Sequence, residues 1–270
     1  MRFTKQVLRV VVVATLCTGS LKADQLLVPG TANPWLAGAT NGTTAAGGDV
    51  APSESPALFT NFVAGSAVYF SATGSAGYNA GSESGPDGVP GYYVNHGVEN
   101  GIGALNNAQA NALLGVFLDD TVPSGPTPDP LDFGPAGLQD YSTISPALKQ
   151  PFVIGSGFET NGLQHSIVVP SGAKRLFLGI CDGSGWYNNT GSFTVDVTLS
   201  TAPPIRLISG DGKFEVHWPA AYSNCIVQMN TNVQTTNWVS LTNAATVVGP
   251  DLVLTNSGGA SRAFFRLQCH

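Results

Sequence analysis

Charged residues are scarce in this chain of 270 residues. Asp, Glu, Lys and Arg together make up 10% of it, whereas it contains 33 Gly and 18 Pro. This composition excludes a coiled coil or a long-helix architecture, and it is typical of a turn-rich chain. Hydrophobic residues make up 43%, so there is still enough apolar surface for a core. The length suits one large domain or two small ones.

Basic residues are scarcest beyond residue 23. Seven basic residues and all 17 acidic residues follow that point, which gives a net charge of −10. Residues 24–201 hold 14 of these acids against three bases, whereas residues 202–270 are close to neutral. We therefore expect neither nucleic acid nor an anionic membrane surface as a partner. The oligomeric state stays open.

Long hydrophobic runs are also missing, since none approaches the roughly 20 residues that cross a bilayer as a helix. The apolar run at 10–16 follows three basic residues and precedes the small residue Ala23. This is the pattern of a secretory signal peptide over residues 1–23. We therefore expect a secreted, periplasmic or cell-surface protein without membrane insertion. Lipid attachment at Cys17 is the alternative, although Leu16 stands where a small residue is expected.

Only four cysteines are present, and removal of a signal peptide would leave three. An oxidising compartment favours pairing two of them. Cys225 and Cys269 both lie in the C-terminal third, in or beside strand-like runs, so we predict a disulfide between them. Cys181 is then expected to be a small buried hydrophobe.

Alternation of apolar and polar residues is clearest at 191–199, where Phe193, Val195 and Val197 share one face. It predicts a half-buried antiparallel strand. For residues 106–114 a short helix is the competing interpretation, weakened by three Asn residues. Strands with similar patterns are predicted at 67–72 (with Val68 and Phe70 inward), 113–118, 166–169 and 175–181.

A domain boundary is expected between residues 201 and 202. Pro203 and Pro204 cannot donate to a strand ladder, so they end the first strand series. The sequence therefore predicts an all-β protein with a β-sandwich at 24–201 and a smaller β-sandwich at 202–270. Strands of the second domain are predicted at 213–218, 225–229, 238–241, 246–248, 252–254 and 263–267.

The segment Cys181-Asp182-Gly183-Ser184-Gly185-Trp186-Tyr187-Asn188-Asn189-Thr190-Gly191 carries the most chemistry. Calcium binds six to eight hard oxygen atoms from carboxylates, amides and backbone carbonyls. Asp182, followed six and seven positions later by Asn188 and Asn189, offers such oxygens around a tight turn. The alternative is a polar hairpin loop that uses Asn and Gly only for turn geometry.

Together with Gly191-Ser192-Phe193-Thr194-Val195, this loop resembles the calcium-dependent galactophilic lectins of the PA-I type, over roughly residues 65–199. That resemblance implies a galactose-binding-like β-sandwich of jelly-roll character. Upstream features follow the same order, namely a strand at Val68–Phe70, a turn at Gly77-Tyr78, a turn at Gly85-Pro86-Asp87-Gly88, a strand at 112–118 and a turn at Val169-Pro170.

The resemblance also implies a ligand set. Calcium would be held by the Tyr78 carbonyl, the Asp182 carboxylate, the Asn188 and Asn189 side chains, and a carbonyl of Trp186 or Tyr187. The last choice is open because the loop is one residue shorter than in the family. Two vicinal sugar hydroxyls would complete the shell, and contacts to the sugar are expected from His96, Asp182, Tyr187, Asn188 and Asn189.

The expected function is therefore that of an exported calcium-dependent carbohydrate-binding protein for galactose-type sugars, with no catalysis. A structural protein of the cell envelope or extracellular matrix, using calcium only for stability, is one alternative, and the non-catalytic part of a glycan-degrading system is another. Other acids and histidines support no enzyme site: Asp119 and Asp120 are adjacent and point to opposite faces, and His165, His217 and His270 lack metal-ligand spacing. The C-terminal domain has Glu215-Val216-His217-Trp218-Pro219 near its start, Asn237-Trp238 midway and Phe264-Phe265-Arg266-Leu267 near its end. With these segments it resembles small β-sandwich appendages of exported bacterial proteins, which implies a spacer, attachment or sorting role.

Overall fold

The structure, a computed structural model, describes residues 9–10, 23–62, 65–135, 137–138, 140–200, 205–210, 213–223, 225–232, 234–242, 244–249, 251–257 and 262–269. In these residues the regular structure is β throughout, apart from four short 3-10 helices. The all-β prediction is therefore confirmed. Of the predicted signal peptide, only Arg9–Val10 and Ala23 are described, and the predicted break at Pro203-Pro204 lies outside the described residues.

The 3-10 helices are Pro34–Leu36, Ala46–Gly48, Trp186–Asn188 and Ala220–Tyr222. In chain order the strands are β1 Arg9–Val10, β2 Ala23–Pro29, β3 Ala57–Phe59, β4 Ala67–Gly77, β5 Tyr93–His96, β6 Leu105–Gln109, β7 Leu113–Leu118, β8 Leu131–Asp132, β9 Thr143–Ile144, β10 Phe152–Val153, β11 Ser166–Val168, β12 Arg175–Ile180, β13 Thr190–Ser200, β14 Arg206–Gly210, β15 Lys213–Pro219, β16 Cys225–Asn230, β17 Val239–Ser240, β18 Thr246–Val248, β19 Asp251–Ser257 and β20 Arg262–Cys269.

Contacts divide the chain into two compact units. The larger unit is Leu21–Ser200, and the smaller contains Thr201–His270 with Met1–Ser20. The larger unit has a five-stranded sheet in the order β2-β13-β4-β11-β9, a four-stranded sheet in the order β10-β7-β12-β3, and a three-stranded sheet β5-β6-β8.

The long antiparallel pair of β4 and β13 organises the five-stranded sheet, with eleven residues in each strand. Alternation decides which face is buried, because successive side chains of a strand point to opposite faces. Phe193, Val195 and Val197 are fully buried, as are Val68 and Phe70 on β4 to within 1%. The core of this unit is therefore built on the residues that the alternation predicted.

The competing interpretation of residues 106–114 as a short helix is wrong. Strand β6 ends there, a turn follows, and β7 begins. Asn107 and Asn111 have φ angles of 52° and 67°, in the left-handed region that interrupts a helix and that Asn tolerates better than most residues. The buried Asn111 side chain also bonds neighbouring turns instead of facing solvent.

The two ends of the β7–β12 pair differ in charge. Leu113 pairs with Ile180 at one end, which leads into residues 181–190, and we call this the loop end. Leu118 pairs with Arg175 at the other, which we call the basic end. A six-residue strand spans about 17 Å. The three bases of residues 24–200 all lie at the basic end, since the Lys149 and Lys174 amides bond the carbonyls of Phe117 and Leu118.

The smaller unit has two four-stranded sheets, β1-β20-β16-β17 and β14-β15-β19-β18. Its core includes Phe214, Val216, Trp218 and Phe265. Strand β1 joins it through a parallel pairing of Arg9 and Val10 with Arg262 and Ala263.

The cysteines are placed as follows. Cys225 on β16 and Cys269 on β20 are direct partners in the antiparallel register. Directly opposed residues have Cα atoms about 4.5–5.5 Å apart, within the range that a disulfide spans. The pairing of these cysteines stays a prediction that the register supports. Cys181 is a buried free cysteine of the larger unit, as the sequence indicated.

Candidate functional site

The loop of residues 181–190 connects β12 to β13 and is anchored by a tryptophan. Trp186 is fully buried, and its indole Nε1 donates a hydrogen bond of 2.9 Å to the Ile180 carbonyl. Gly185 has a φ of 78° and allows the chain to turn into the short helix Trp186–Asn188. The loop is thus folded back onto the core, with its polar residues held around the turn.

Asp182 and Asn189 occupy the two ends of this loop. Asp182 Oδ1 accepts a hydrogen bond of 2.6 Å from the Gly183 N–H, and Asn189 Nδ2 donates one of 3.1 Å to the Gly30 carbonyl. Within the described part of the chain, Asp182 Oδ2 and Asn189 Oδ1 are buried and accept no hydrogen bond. A buried acceptor without a partner destabilises a fold by about 1–3 kcal/mol, so each such atom needs an explanation, and a bound cation is one that applies to oxygen acceptors.

The environment of Asp182 shows that these two side chains face each other. Burial raises the pKa of Asp182, and the negative charge of Asp49 acts in the same direction. The Gly183 N–H, the Asn189 side-chain amide and the Ser184 N–H oppose this increase, because each places a donor group near the carboxylate. Two predicted ligands from opposite ends of the loop are therefore brought together by the fold.

Tyr78 lies beside this pair. Gly77, which precedes Tyr78, is paired with Thr190, which follows Asn189. The Tyr78 N–H donates to Asn111 Oδ1 at 2.9 Å, and the Asn111 N–H in turn donates to the Cys181 carbonyl at 2.8 Å. Asn111 thus ties the Tyr78 turn to the end of β12, immediately before Asp182.

The remaining predicted ligands of the loop, Trp186, Tyr187 and Asn188, form the 3-10 turn that precedes Asn189. The Trp186 carbonyl accepts the Asn189 N–H at 3.0 Å and so closes the 3-10 turn. Asn188 lies on the exposed side of that turn. The side chain of Tyr187 is 59% exposed and presents an aromatic ring to solvent at the loop end.

His96 is buried against tryptophans. Its ring stacks on that of Trp35 at 3.6 Å between centroids, and the Trp186 ring lies 5.8 Å away. Its side chain is only 8% exposed, with Nε2 3.5 Å from Glu99 Oε2. Burial lowers the pKa of His96, although the Gly97 carbonyl and the charges of Glu99 and Asp182 oppose this. His96 therefore lies beneath the site, and Tyr187 provides the exposed ring.

Asp49 is a site residue that the sequence analysis missed. It is fully buried and accepts hydrogen bonds from the Trp186 N–H at 3.1 Å, the Tyr187 N–H at 2.8 Å and Asn33 Nδ2 at 3.1 Å. The backbone around it also approaches the loop closely, because a Cβ on Gly47 would come within 2.4 Å of the Gly185 nitrogen. No local motif marks Asp49 as a site residue, since the loop donors that it bonds are 137 and 138 positions away.

The loop end is rich in negative charge. Asp49, Glu99 and Asp182 lie around His96 and Trp186, whereas the bases of this unit lie at the basic end, about 17 Å away. That separation exceeds the distance of about 8–10 Å over which exposed charges interact at physiological salt. With the pKa of His96 lowered, its imidazole is neutral at neutral pH and does not balance these carboxylates.

This arrangement suits a hard cation better than a transition metal. Within the described residues, no group of three or more His, Cys, Asp or Glu side chains is placed to hold a metal ion. A ligand set of one carboxylate with amide and carbonyl oxygens matches the preference of calcium, whereas zinc prefers His and Cys. Asp182 and Asn189 thus supply oxygens of the kinds that calcium binds.

Comparison with known proteins gives no match to any family and none to any curated protein. In the part of the chain that the structure describes, no helix has the length and apolarity to span a bilayer.

Proposed function

We propose that this protein is an exported, calcium-dependent carbohydrate-binding protein without catalytic activity. The observation that carries the proposal is the pair of buried oxygens, Asp182 Oδ2 and Asn189 Oδ1, which belong to neighbouring side chains and accept no hydrogen bond within the described residues. A divalent cation would satisfy both oxygens and offset the excess of negative charge at the loop end.

The ligands proposed from this chain are the Asp182 carboxylate, the Asn189 side chain and the Tyr78 carbonyl, and the pairing of Gly77 with Thr190 supports this choice. Asn188 and a carbonyl of Trp186 or Tyr187 extend the set along the turn. The ion would supply open coordination positions to two neighbouring hydroxyls of a sugar. Affinity for calcium in the range of 10⁻⁴–10⁻³ M, usual for extracellular modules, is sufficient for this role.

The proposed sugar contacts centre on Tyr187. Its ring is exposed next to the turn, and an aromatic face can stack on the apolar face of a sugar. The concentration of carboxylates at the loop end favours a neutral glycan over an acidic one, because an anionic sugar would be repelled. A galactose-type sugar, as the resemblance implies, is neutral and fits this requirement.

Calcium binding and glycan binding test the proposal together. We expect calorimetric binding of calcium, and glycan-array binding that a chelator abolishes. Asp182→Asn should remove both while the protein remains folded. Asp120→Asn is the matched control, because Asp120 is exposed and follows the basic end of β7. Loss of binding in the control, or glycan binding that a chelator leaves intact, would contradict the proposal.

A structural role for calcium is the second candidate, and the burial of the two oxygens favours it. Asp182 Oδ2 and Asn189 Oδ1 are inaccessible to solvent, so an ion bound to them could cross-link the two ends of the loop without contacting a ligand. In that case calcium would raise the melting temperature, and no glycan would be bound. The glycan array with calcium present therefore separates the two candidates.

A further inference from the structure

The proposed cation site depends on a buried carboxylate from a distant part of the chain. We infer that Asp49 is a positioning residue that holds the loop of residues 181–190 in the shape needed to bind the cation. The inference rests on the proposed function for its ligand, whereas the positioning itself rests on hydrogen bonds within the protein.

Asp49 fixes the backbone of the loop at two successive residues. Its Oδ2 accepts the Trp186 N–H at 3.1 Å and its Oδ1 accepts the Tyr187 N–H at 2.8 Å. These N–H groups lie in the first turn of the 3-10 helix Trp186–Asn188, where backbone donors lack partners within the helix. A carboxylate that bonds both at once sets the direction of the turn that leads to Asn189.

Asp49 is itself held in place. It is fully buried, and Asn33 Nδ2 donates to its Oδ2 at 3.1 Å. Asn33 is also buried, and its Oδ1 accepts the Trp35 N–H at 2.8 Å, so its amide orientation is set by a second bond. The chain Trp35–Asn33–Asp49 therefore connects the core to the loop, and the loop does not rely on its own residues alone for its shape.

The same carboxylate also acts on Asp182 through its charge. Asp49 is one of the groups that raise the pKa of Asp182, which places the two carboxylates close enough to interact. Residues that orient metal ligands by hydrogen bonding, without contacting the metal themselves, typically change metal affinity by about 10–100-fold when they are removed. Asp49 occupies that position here: it orients Tyr187 and the approach to Asn189, and it adds negative charge near the proposed cation.

The test uses Asp49→Asn in the full chain. An amide of the same shape replaces one carboxylate oxygen by an N–H donor, so either the Tyr187 N–H or the Trp186 N–H loses its acceptor. We expect hydrogen exchange at the Trp186 and Tyr187 amides to become faster and calcium affinity, measured by calorimetry, to fall about tenfold or more. Asp87→Asn is the matched control, because Asp87 also accepts a backbone N–H, that of Ser156, but outside the loop.

Two readouts keep the inference separate from the proposed function. A folded Asp49→Asn variant with unchanged amide exchange and unchanged calcium affinity would overturn the inference and leave calcium binding intact. If the unaltered protein binds no calcium, the proposed function fails, and faster exchange at Trp186 and Tyr187 would still support the positioning role. If Asp49→Asn does not fold, Asn33→Ala decides, since it keeps the carboxylate and removes one donor: a smaller change in the same direction supports the inference, and no change overturns it.

Discussion

The imidazole of His96 stacks on the indole of Trp35, with ring centroids 3.6 Å apart and planes 22° from parallel. This contact removes the imidazole from solvent and places it between aromatic rings and the Glu99 carboxylate. It links the loop end to the core of the larger unit. Because the ring is buried, protonation of His96 should change the free energy of unfolding.

We expect stability to fall on acidification because of His96. Its pKa is lowered mainly by burial, so the folded state disfavours the protonated ring. The stabilising contribution is present above the unfolded value of about 6.5 and is lost as pH falls through the lowered pKa. An NMR titration should give a pKa below 6.5, and urea unfolding should show the loss of stability over the same interval.

His96→Gln is the control for that titration, because Gln has no charge to gain. Its stability should depend less on pH than that of the unaltered protein in this interval. Identical pH dependence in the two proteins would contradict the assignment to His96.

Asp182→Asn should stabilise the calcium-free protein at neutral pH. The pKa of Asp182 is raised, chiefly by burial, so the fold favours the protonated carboxyl. That contribution is present below the ordinary pKa and is lost as pH rises through the raised value. An amide cannot ionise, so we expect the free energy of unfolding at pH 7, measured with urea, to be higher for Asp182→Asn than for the unaltered protein.

The same substitution should abolish the effect of calcium. A ligand at 100 times its Kd stabilises a protein by about 2.7 kcal/mol, and this increase should appear in the unaltered protein and in Asp120→Asn but not in Asp182→Asn. Calcium affinity of the unaltered protein should also decrease as pH falls through the raised pKa, because protons compete for Asp182. A calcium-free Asp182→Asn protein that is less stable than the unaltered one would argue against this account.

Adjacent glycines offer a matched pair for testing the contact between the 45–49 segment and the loop. Gly47 and Gly48 have φ angles of 86° and 100°, so alanine at either position is strained, by roughly 1–2 kcal/mol. A Cβ on Gly47 would lie 2.4 Å from the Gly185 nitrogen, whereas one on Gly48 meets no atom within 4 Å. We expect Gly47→Ala to lower calcium affinity and Gly48→Ala to preserve it, as measured by calorimetry. Equal affinities would show that the close approach is unimportant.

A disulfide between Cys225 and Cys269 should appear in peptide mapping under non-reducing conditions. Replacing both by Ala should destabilise the smaller unit by about 4 kcal/mol on the chain-entropy estimate for a loop of this length. Cys181→Ala provides the contrast, since it removes a buried thiol of the other unit and should leave the mapped linkage unchanged. Labelling of both Cys225 and Cys269 as thiols after unfolding without reductant would refute the pairing.

Local patterns were sufficient for much of the fold. Strand β7 occupies 113–118 as predicted, because both of its faces are buried and its apolar run is bounded by turns. The sequence analysis did not predict strand β14. Leu207 and Ile208 are adjacent and both apolar, so the sequence does not alternate between apolar and polar residues there. Because β14 is an edge strand, Ile208 stays 46% exposed.

The residues of the candidate site likewise include some that local sequence patterns reveal and one that they do not. Asp182 and Asn189 could be found from the sequence because they lie seven positions apart in one polar turn. Asp49 could not, because it lies in a segment rich in Gly, Ala and Thr, and its carboxylate is recognisable only through backbone donors contributed by a loop 137 positions later. Hydrogen bonds to backbone amides leave no trace in the identity of the donor residue, so sequence alone carries no signal for them.

The opposite placement of bases and acids along the β7–β12 pair has a practical consequence. Lys149 and Lys174 lie beside Phe117 and Leu118, remote from Asp182 and Tyr187. A molecule tethered to a sensor chip through either amine would hold the loop end of this unit away from the support. Attachment through these two lysines, as distinct from Lys213 of the smaller unit, therefore leaves the proposed binding face accessible to the analyte.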